Sequence, residues 1–254
     1  VKASIVIRAK NEARDIGATL QRVGEQVGVA GFETIVVDSG STDRTLEIAR
    51  QYPIHLIQIP PTTFTYGRAL NIGIEVARGE FVVSLSAHSL PASERWLAHL
   101  LDGFRDRNVA AVYGRHLPRA NATKLELVGM RLSGVMSVRA RRQTRDMMFS
   151  NANGAFRRHL TLDHPFDEII PGAEDLAWAD WAVRQGWAVY YEPRAAVYHS
   201  HGEPFGKLIR RMLHDQPTIW GLKLGIVARR NAARPTPSPQ YRPAPSRDSA
   251  PPAH

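Results

Sequence analysis

Four short apolar runs, Ser4–Arg8 (SIVIR), Thr34–Val37 (TIVV), His55–Ile59 (HLIQI) and Phe81–Leu85 (FVVSL), follow one another early in the chain with a helix-like stretch between successive members. Nothing else in the sequence restricts the fold as much. Runs rich in β-branched residues without polar alternation suit strands covered on both faces, the condition of a parallel sheet. The stretches between them, Ala13–Val27, Thr42–Gln51 and Gly67–Arg78, read as helices. Thr42 follows Gly40 and Ser41, and Asp43 adds negative charge to the first turn. The expectation is an α/β fold with a mostly parallel central sheet flanked by helices.

The second half is less regular. Pro91–Arg107 reads as a helix, Ala110–Tyr113 as a strand and Lys124–Val138 as a helix with a loop behind it. Phe149–Phe156 is a short extended stretch, Glu174–Gln185 a helix ended by Gly186, and Ala188–Tyr191 and Ala196–His199 two further strands. From Asn231 the composition turns to Pro, Ser, Ala and Arg with little to bury, so 231–254 is expected to be a disordered tail. No internal repeat is present.

A chain of 254 residues suits one large domain, or at most two small ones. It has no apolar stretch of ~18 residues to span a bilayer, and from its short, polar start, VKASIVIRAKNE, no signal peptide is expected. The absence of cysteine excludes disulfides, a thiol nucleophile and a cysteine zinc site, and makes a cytoplasmic location the expectation. Lys and Arg outnumber Asp and Glu by 33 to 24. Such an excess attracts nucleic acid, anionic lipid or a phosphorylated small substrate, or is a plain solvated surface. The clusters Arg139, Arg141, Arg142, Arg145 and Lys207, Arg210, Arg211, Lys223, Arg229, Arg230 are not interleaved with aromatics in a nucleic-acid module, so nucleic acid is not an expected partner.

The string ETIVVDSGSTD, Glu33 to Asp43, carries the most chemistry. A buried strand ends in Asp38 and a Ser39-Gly40-Ser41 turn leads into a helix. Ligands of open parallel sheets bind beyond the carboxyl ends of the strands, where a carboxylate accepts hydrogen bonds from a base or ribose. The same residues also read as helix-capping groups. The first strand runs into Arg8-Ala9-Lys10-Asn11-Glu12, and Tyr66–Phe81 (YGRALNIGIEVARGEF) leads through a helix into the fourth strand.

An Asn-Glu pair after the first strand, an Asp-x-Gly-Ser-x-Asp segment after the second and a Gly-x-Ala-x-Asn-x-Gly helix occur here in order. In this combination the chain resembles the family-2 inverting glycosyltransferases of the GT-A fold over roughly residues 3–205. The resemblance implies one domain over 1–230, with a nucleotide half about 1–115, an acceptor half about 116–206 and a basic helical segment about 207–230. It implies a nucleotide-sugar donor (UDP-, dTDP- or GDP-linked) and a carbohydrate or lipid-linked acceptor, in bacterial surface polysaccharide or glycoconjugate synthesis. Asp38, with Ser39 and Gly40 in the turn, would contact base or ribose, the backbone of Ala9, Asn11 and Glu12 would frame the base, and Arg68 and Asn71 would face the donor. Arg68 is the stronger of the two, since a guanidinium forks onto phosphate oxygens.

The family usually carries Asp-x-Asp, or one Asp, just beyond the fourth strand, where it holds a divalent metal such as Mn or Mg. Here SLSAHSLP, Ser84 to Pro91, has no carboxylate, and His88 stands in that place. The Ala-His pair resembles a bacterial rhamnosyltransferase-like branch of the family. A neutral imidazole suits manganese, zinc or iron better than magnesium. His88 therefore binds a transition metal, donates a hydrogen bond to the diphosphate without metal, or marks lost activity. His199 and His201, two apart after a strand, match the C-terminal histidine that many GT-A enzymes give to the same metal, although such pairs are often surface features.

Inverting transfer needs a base on the acceptor side. By the resemblance Asp175 is that base and Glu174 supports it; simple N-terminal helix charge is the other reading of the pair. FSNANGAFRR resembles the segment lining the sugar and acceptor pocket, so Asn151 and Asn153 would read hydroxyls, Gly154 would allow close approach, and Trp178 would stack on a sugar or pack in the core. The Gln-x-x-Arg-Trp motif of processive synthases is missing, which fits single transfer. Lys207–Arg230 is basic with apolar residues interspersed and could lie on the inner face of an anionic plasma membrane. Two other readings remain: a sugar nucleotidyltransferase, for which RAKNEARDIG lacks the Gly-rich loop, and a non-catalytic sugar-nucleotide or carbohydrate-binding protein, motivated by the missing carboxylate.

Overall fold

The computed structural model describes residues 1–170, 172–200 and 221. His201, nearly all of the basic segment 207–230 and the tail 231–254 lie outside the described residues.

Nine strands form one sheet among the described residues: β1 (Ala3–Ala9), β2 (Phe32–Asp38), β3 (His55–Gln58), β4 (Phe81–Ser86), β5 (Leu90–Pro91), β6 (Val109–Leu117), β7 (Arg141–Gln143), β8 (Asn153–Arg157) and β9 (Ala188–Tyr198). Their order is β3-β2-β1-β4-β8-β6-β9-β5, with β7 also on β9. The first four are parallel throughout, as the apolar runs require. On one face Ile5, Ile7, Val83 and Leu85 pack on Ile16, Leu20 and Val23 of helix α1 (Ile16–Gly24). On the other, Val6, Val37 and Val82 pack on Leu70 and Ile74 of α3 (Tyr66–Val76). Both faces are thus covered and no solvent face calls for polar alternation. The helix between β2 and β3 shortens to α2 (Thr45–Ala49), because the residues before it are held in a turn.

Beyond β4 the sheet is mixed. β8 runs antiparallel between β4 and β6, while β9 lies parallel to β6. The stretch expected as one helix from Pro91 instead pairs Leu90–Pro91 with β9, then forms α4 (Trp96–Asp102) and a 3-10 turn over Gly103–Arg105. Helix α5 (Lys124–Leu132) opens on a capping box between Thr123 and Glu126 and stops before Gly134, whose φ of +74° leaves the helical region. The loop expected behind it contains β7. Its Arg141 lies over the Tyr191 ring at 4.5 Å and Arg142 pairs with Asp106 at 2.9 Å, so part of the basic cluster serves the fold. The two expected C-terminal strands are one, β9, carried past an irregularity opposite Gly114 and His116. Helices α6 (Arg158–Asp163) and α7 (Glu174–Arg184) complete the second half. The expected boundary between halves, near residue 115, falls inside β6. Among the described residues no helix is long and apolar enough to cross a membrane.

Candidate active site

β1 and β2 end side by side, Ala9 opposite Asp38. The chain after each is tied to the other. Asn11, at φ +55°, accepts the Thr42 amide on its Oδ1 at 2.8 Å, and its own amide donates to Ser41 Oγ at 2.8 Å. Asn tolerates this left-handed conformation better than most side chains. The Glu12 amide donates to Thr45 Oγ1 at 2.7 Å. Asp38 is buried, and its Oδ1 accepts the amides of Gly40 (3.0 Å) and Ser41 (2.9 Å) while Oδ2 accepts the Ser41 hydroxyl. Ser39 donates its amide to the Ala9 carbonyl at 3.0 Å. Gly40 sits at φ +84°, and a Cβ there would lie 2.6 Å from Pro61 Cγ. Three of roughly four acceptor positions on the Asp38 carboxylate are thereby taken by its own turn.

Helix α3 begins with Thr65 capping the Arg68 amide. Arg68 reaches Glu168 at 3.3 Å and keeps 40% of its side chain exposed. Asn71 corrects the expectation that it faces the donor. It is buried, accepts the Phe166 amide at 3.0 Å, and donates to the Phe166 carbonyl and to Glu168 Oε1, each at 2.9 Å. Its amide is a clamp on the 166–168 loop.

His88 follows β4 and meets Glu12, Nδ1 to Oε1 at 2.9 Å. Its ring stacks on His199 with centroids 5.0 Å apart and planes 13° apart, and His199 in turn meets the ring of His116 edge-on at 5.0 Å. Burial pushes His116 down to about 4, so it is a neutral ring. Arg119 donates to the His88 carbonyl at 3.3 Å and to Asp15 at 2.5 Å, tying this corner to α1. The structure therefore brings Glu12, His88 and His199 together. Nitrogen lone pairs lie in the ring plane, so two nearly parallel stacked imidazoles aim them side by side and not at one point. Among the described residues no group of three or more His, Asp or Glu is placed to hold a metal ion. The described donor set does not fit a divalent cation.

The acidic pair lies at the start of α7. Ala173 before it takes φ +61°, a left-handed conformation unusual for a residue with a Cβ. Glu174 is buried and pairs with Arg8 of β1 at 3.0 Å; the Asn151 side-chain amide donates to the same oxygen at 3.0 Å. Asp175 keeps part of its surface open to solvent. It accepts the Asn151 backbone amide at 3.0 Å and the Leu176 amide at 2.9 Å. Burial and the neighbouring Glu174 charge push its carboxyl up to about 7. One carboxylate is pinned in an ion pair and its neighbour is poised to exchange a proton near neutrality.

Asn153 and Gly154, expected in the pocket, belong to the core instead, and Trp178 takes the core alternative. Asn153 is fully buried, accepts Trp96 Nε1–H at 2.8 Å and donates to the Ala195 carbonyl at 2.9 Å. The space beside Gly154 is filled by the Phe149 ring, 2.5 Å from where a Cβ would stand. Trp178 donates to the His164 carbonyl at 2.9 Å and packs against Phe156 and Phe166. Asn151 does reach the acidic pair.

A model of the family described as Glycosyl transferase family 2 matches residues 4–161. The chain belongs to this family. Its similarity extends to the O-antigen chain rhamnosyltransferase WbaN of Salmonella anatum, 31% identical over 178 residues that make up 66% of this chain and 56% of WbaN. The chain thus spans little more than half the length of that relative. Among solved structures it is similar to the mannosyltransferase PcManGT from Pyrobaculum calidifontis in complex with GDP-Man and Mn2+ (22% identity, TM-score 0.66, 91% of this chain and 69% of that one). It is also similar to S. aureus TarS 1-349 in complex with UDP-GlcNAc (18% identity, TM-score 0.61, 80% and 60%). These likenesses establish the GT-A fold.

In this family-2 chain the matched segment stops at residue 161, before the acidic pair. Sequence reasoning missed Arg8, His116 and Glu168. Arg8 had a visible signal, a charged residue closing an otherwise apolar strand run. His116 was out of sight because the expected strand stopped at Tyr113 whereas β6 runs on to Leu117. Glu168 becomes relevant only through tertiary contacts from α3.

Proposed function

We propose that this chain is an inverting glycosyltransferase that moves a sugar from a nucleotide-sugar to an acceptor hydroxyl, with Asp175 as the base. The observation that carries the reading is the state of Asp175: partly open, raised to about 7, and held by two backbone amides beside an ion-paired glutamate. The acceptor oxygen attacks the anomeric carbon and gives its proton to Asp175. The bond from that carbon to the diphosphate oxygen breaks, and the nucleoside diphosphate leaves from the opposite face. Asn151 supports the acceptor side, since its buried Oδ1 has no partner among the described residues and a sugar hydroxyl would satisfy it.

On the donor side, Asp38 with its turn holds the nucleoside and Arg68 the diphosphate region, near the Glu12–His88 pair. Similarity to WbaN supports rhamnose as the sugar and surface polysaccharide as the product. We place the reaction on the cytoplasmic side, with the 207–230 segment at an anionic membrane; sedimentation with anionic but not neutral liposomes tests that part. PcManGT is named with Mn2+. Higher turnover in Mn2+ than in EDTA would put a cation on the diphosphate and require a ligand from outside the described residues.

The deciding experiment incubates the protein with dTDP-rhamnose, UDP-GlcNAc and GDP-mannose and measures released nucleoside diphosphate, for wild type and Asp175→Asn. Turnover by wild type and loss of at least ~100-fold in the variant are expected. Equal turnover removes Asp175 as the base. Tight binding with no turnover in either protein indicates a non-catalytic sugar-nucleotide binder.

A further inference from the structure

We propose that Arg8 is a positioning residue of this site: by holding Glu174 in a buried ion pair, it leaves Asp175 as the carboxylate that takes the acceptor's proton. The inference rests on the reading of Asp175 as base. Two adjacent carboxylates in a poorly hydrated site compete for one proton, and which keeps it depends on which has a cation.

Arg8 decides that competition by geometry. Its Nη1 lies 3.0 Å from Glu174 Oε1, and the side chains are 16% and 6% exposed. The same nitrogen donates to the Tyr66 carbonyl at 3.2 Å, and the guanidinium sits 5.1 Å from the centre of the Tyr66 ring. Arg8 is therefore held from three sides, by α7, by the start of α3 and by its own strand. Its position on β1 is fixed by pairing with Val37 and Ser86 on either side. Among the described residues Asp175 receives backbone amides and no direct guanidinium bond. The charged groups that act on it among the described residues are Glu174 on its own helix and Arg8 from β1; the 150–152 loop adds the uncharged Asn151 amide.

Glutamine at position 8 keeps a polar side chain and removes the cation. Glu174, then a buried carboxylate without a counter-charge, takes up a proton. Asp175 then loses both the Glu174 charge, which raises its carboxyl, and the smaller Arg8 attraction, which lowers it, so its carboxyl falls and it ionises at lower pH. Lysine restores charge without the fork and should restore part of the behaviour.

The test measures nucleoside diphosphate release from dTDP-rhamnose against pH for wild type, Arg8→Gln, Arg8→Lys and Asp175→Asn. The proposal expects the acid limb of kcat/KM in Arg8→Gln to move down by at least about one pH unit, with a lower plateau above it because the remaining base is weaker. Arg8→Lys should lie between. A second readout needs no substrate: 13C NMR of carboxyl-labelled protein should show one aspartate titrating near neutrality in wild type and, in Arg8→Gln, a glutamate there in its place. An unmoved limb and an unchanged NMR titration overturn the proposal, as does a uniform loss at every pH without the glutamate signal, which is what a merely structural arginine would give. If Asp175→Asn retains turnover, the base assignment itself falls, whatever Arg8 does.

Discussion

Replacing Asp175 by asparagine should make the protein more resistant to unfolding at alkaline pH than wild type, relative to their difference at acidic pH. A carboxyl raised from 3.8 to about 7 in the folded chain binds a proton that the unfolded chain has released over the interval between those values. Folding takes up that proton, so wild-type stability from this group is full below the lower value, falls as pH rises, and levels off above the upper one. From pH 5.0 to about 7 the linkage spans about two pH units, or ~2.7 kcal/mol at 1.36 kcal/mol per unit. Asp175 keeps some contact with water, which screens part of the effect, so about 2 kcal/mol is the working figure. Asparagine has nothing to titrate. It can accept only one of the two amides that Asp175 accepts, from Asn151 and Leu176, but that loss is the same at every pH and cancels from the comparison. The assay is urea unfolding of both proteins at pH 5.0 and 8.5. The stability difference, variant minus wild type, should grow by about 2 kcal/mol at the higher pH. Parallel changes in the two proteins would mean that Asp175 ionises like an ordinary aspartate, and the case for a base poised near neutrality would fail.

Gly40→Ala should destabilise by roughly 2–3 kcal/mol, from the positive φ and the Cβ placed against Pro61, and should weaken UDP binding by calorimetry; an unchanged melting temperature would refute the turn geometry. Asn153→Ala should cost roughly 2–4 kcal/mol in urea unfolding by leaving the Trp96 indole N–H unpartnered in the core, with the KM for the donor unchanged in the folded protein. A KM effect at intact stability would return Asn153 to the sugar site. Ala173→Gly should raise the melting temperature by about 2–4 °C, since glycine adopts φ +61° without the penalty of a Cβ.

The nucleotide half was legible because its strands are covered on both faces and its turns are local. Ser4–Arg8 and Phe81–Leu85 announce themselves by composition, and the Asp38 turn is closed by residues two and three positions away. The second half depends on partners distant in sequence. β7 is three residues long and starts with two arginines, so only its pairing with β9 makes it a strand. Asn71, Asn151 and Asn153 look alike in sequence as polar residues in motif positions. Tertiary contacts sort them: Asn71 clamps a loop, Asn153 anchors an indole, and Asn151 touches the acidic pair. The acidic pair could be located from sequence, but the division of labour within it could not, because Arg8 is 166 residues away from Glu174.

β8 lies between β4 and β6, hydrogen-bonded to both. A strand that arrives late in the chain thus closes the sheet begun by the earliest strands, and the loop leading into it carries Asn151 to the acidic pair. Exchange of parts between relatives is constrained accordingly. A chimera cut near residue 116 would take β8 from a foreign parent and set it against native strands on both sides, so a mismatch of one residue in register would shift Asn151 as well as the core. A graft intended to change acceptor preference should keep β8 with the recipient and begin beyond Arg157.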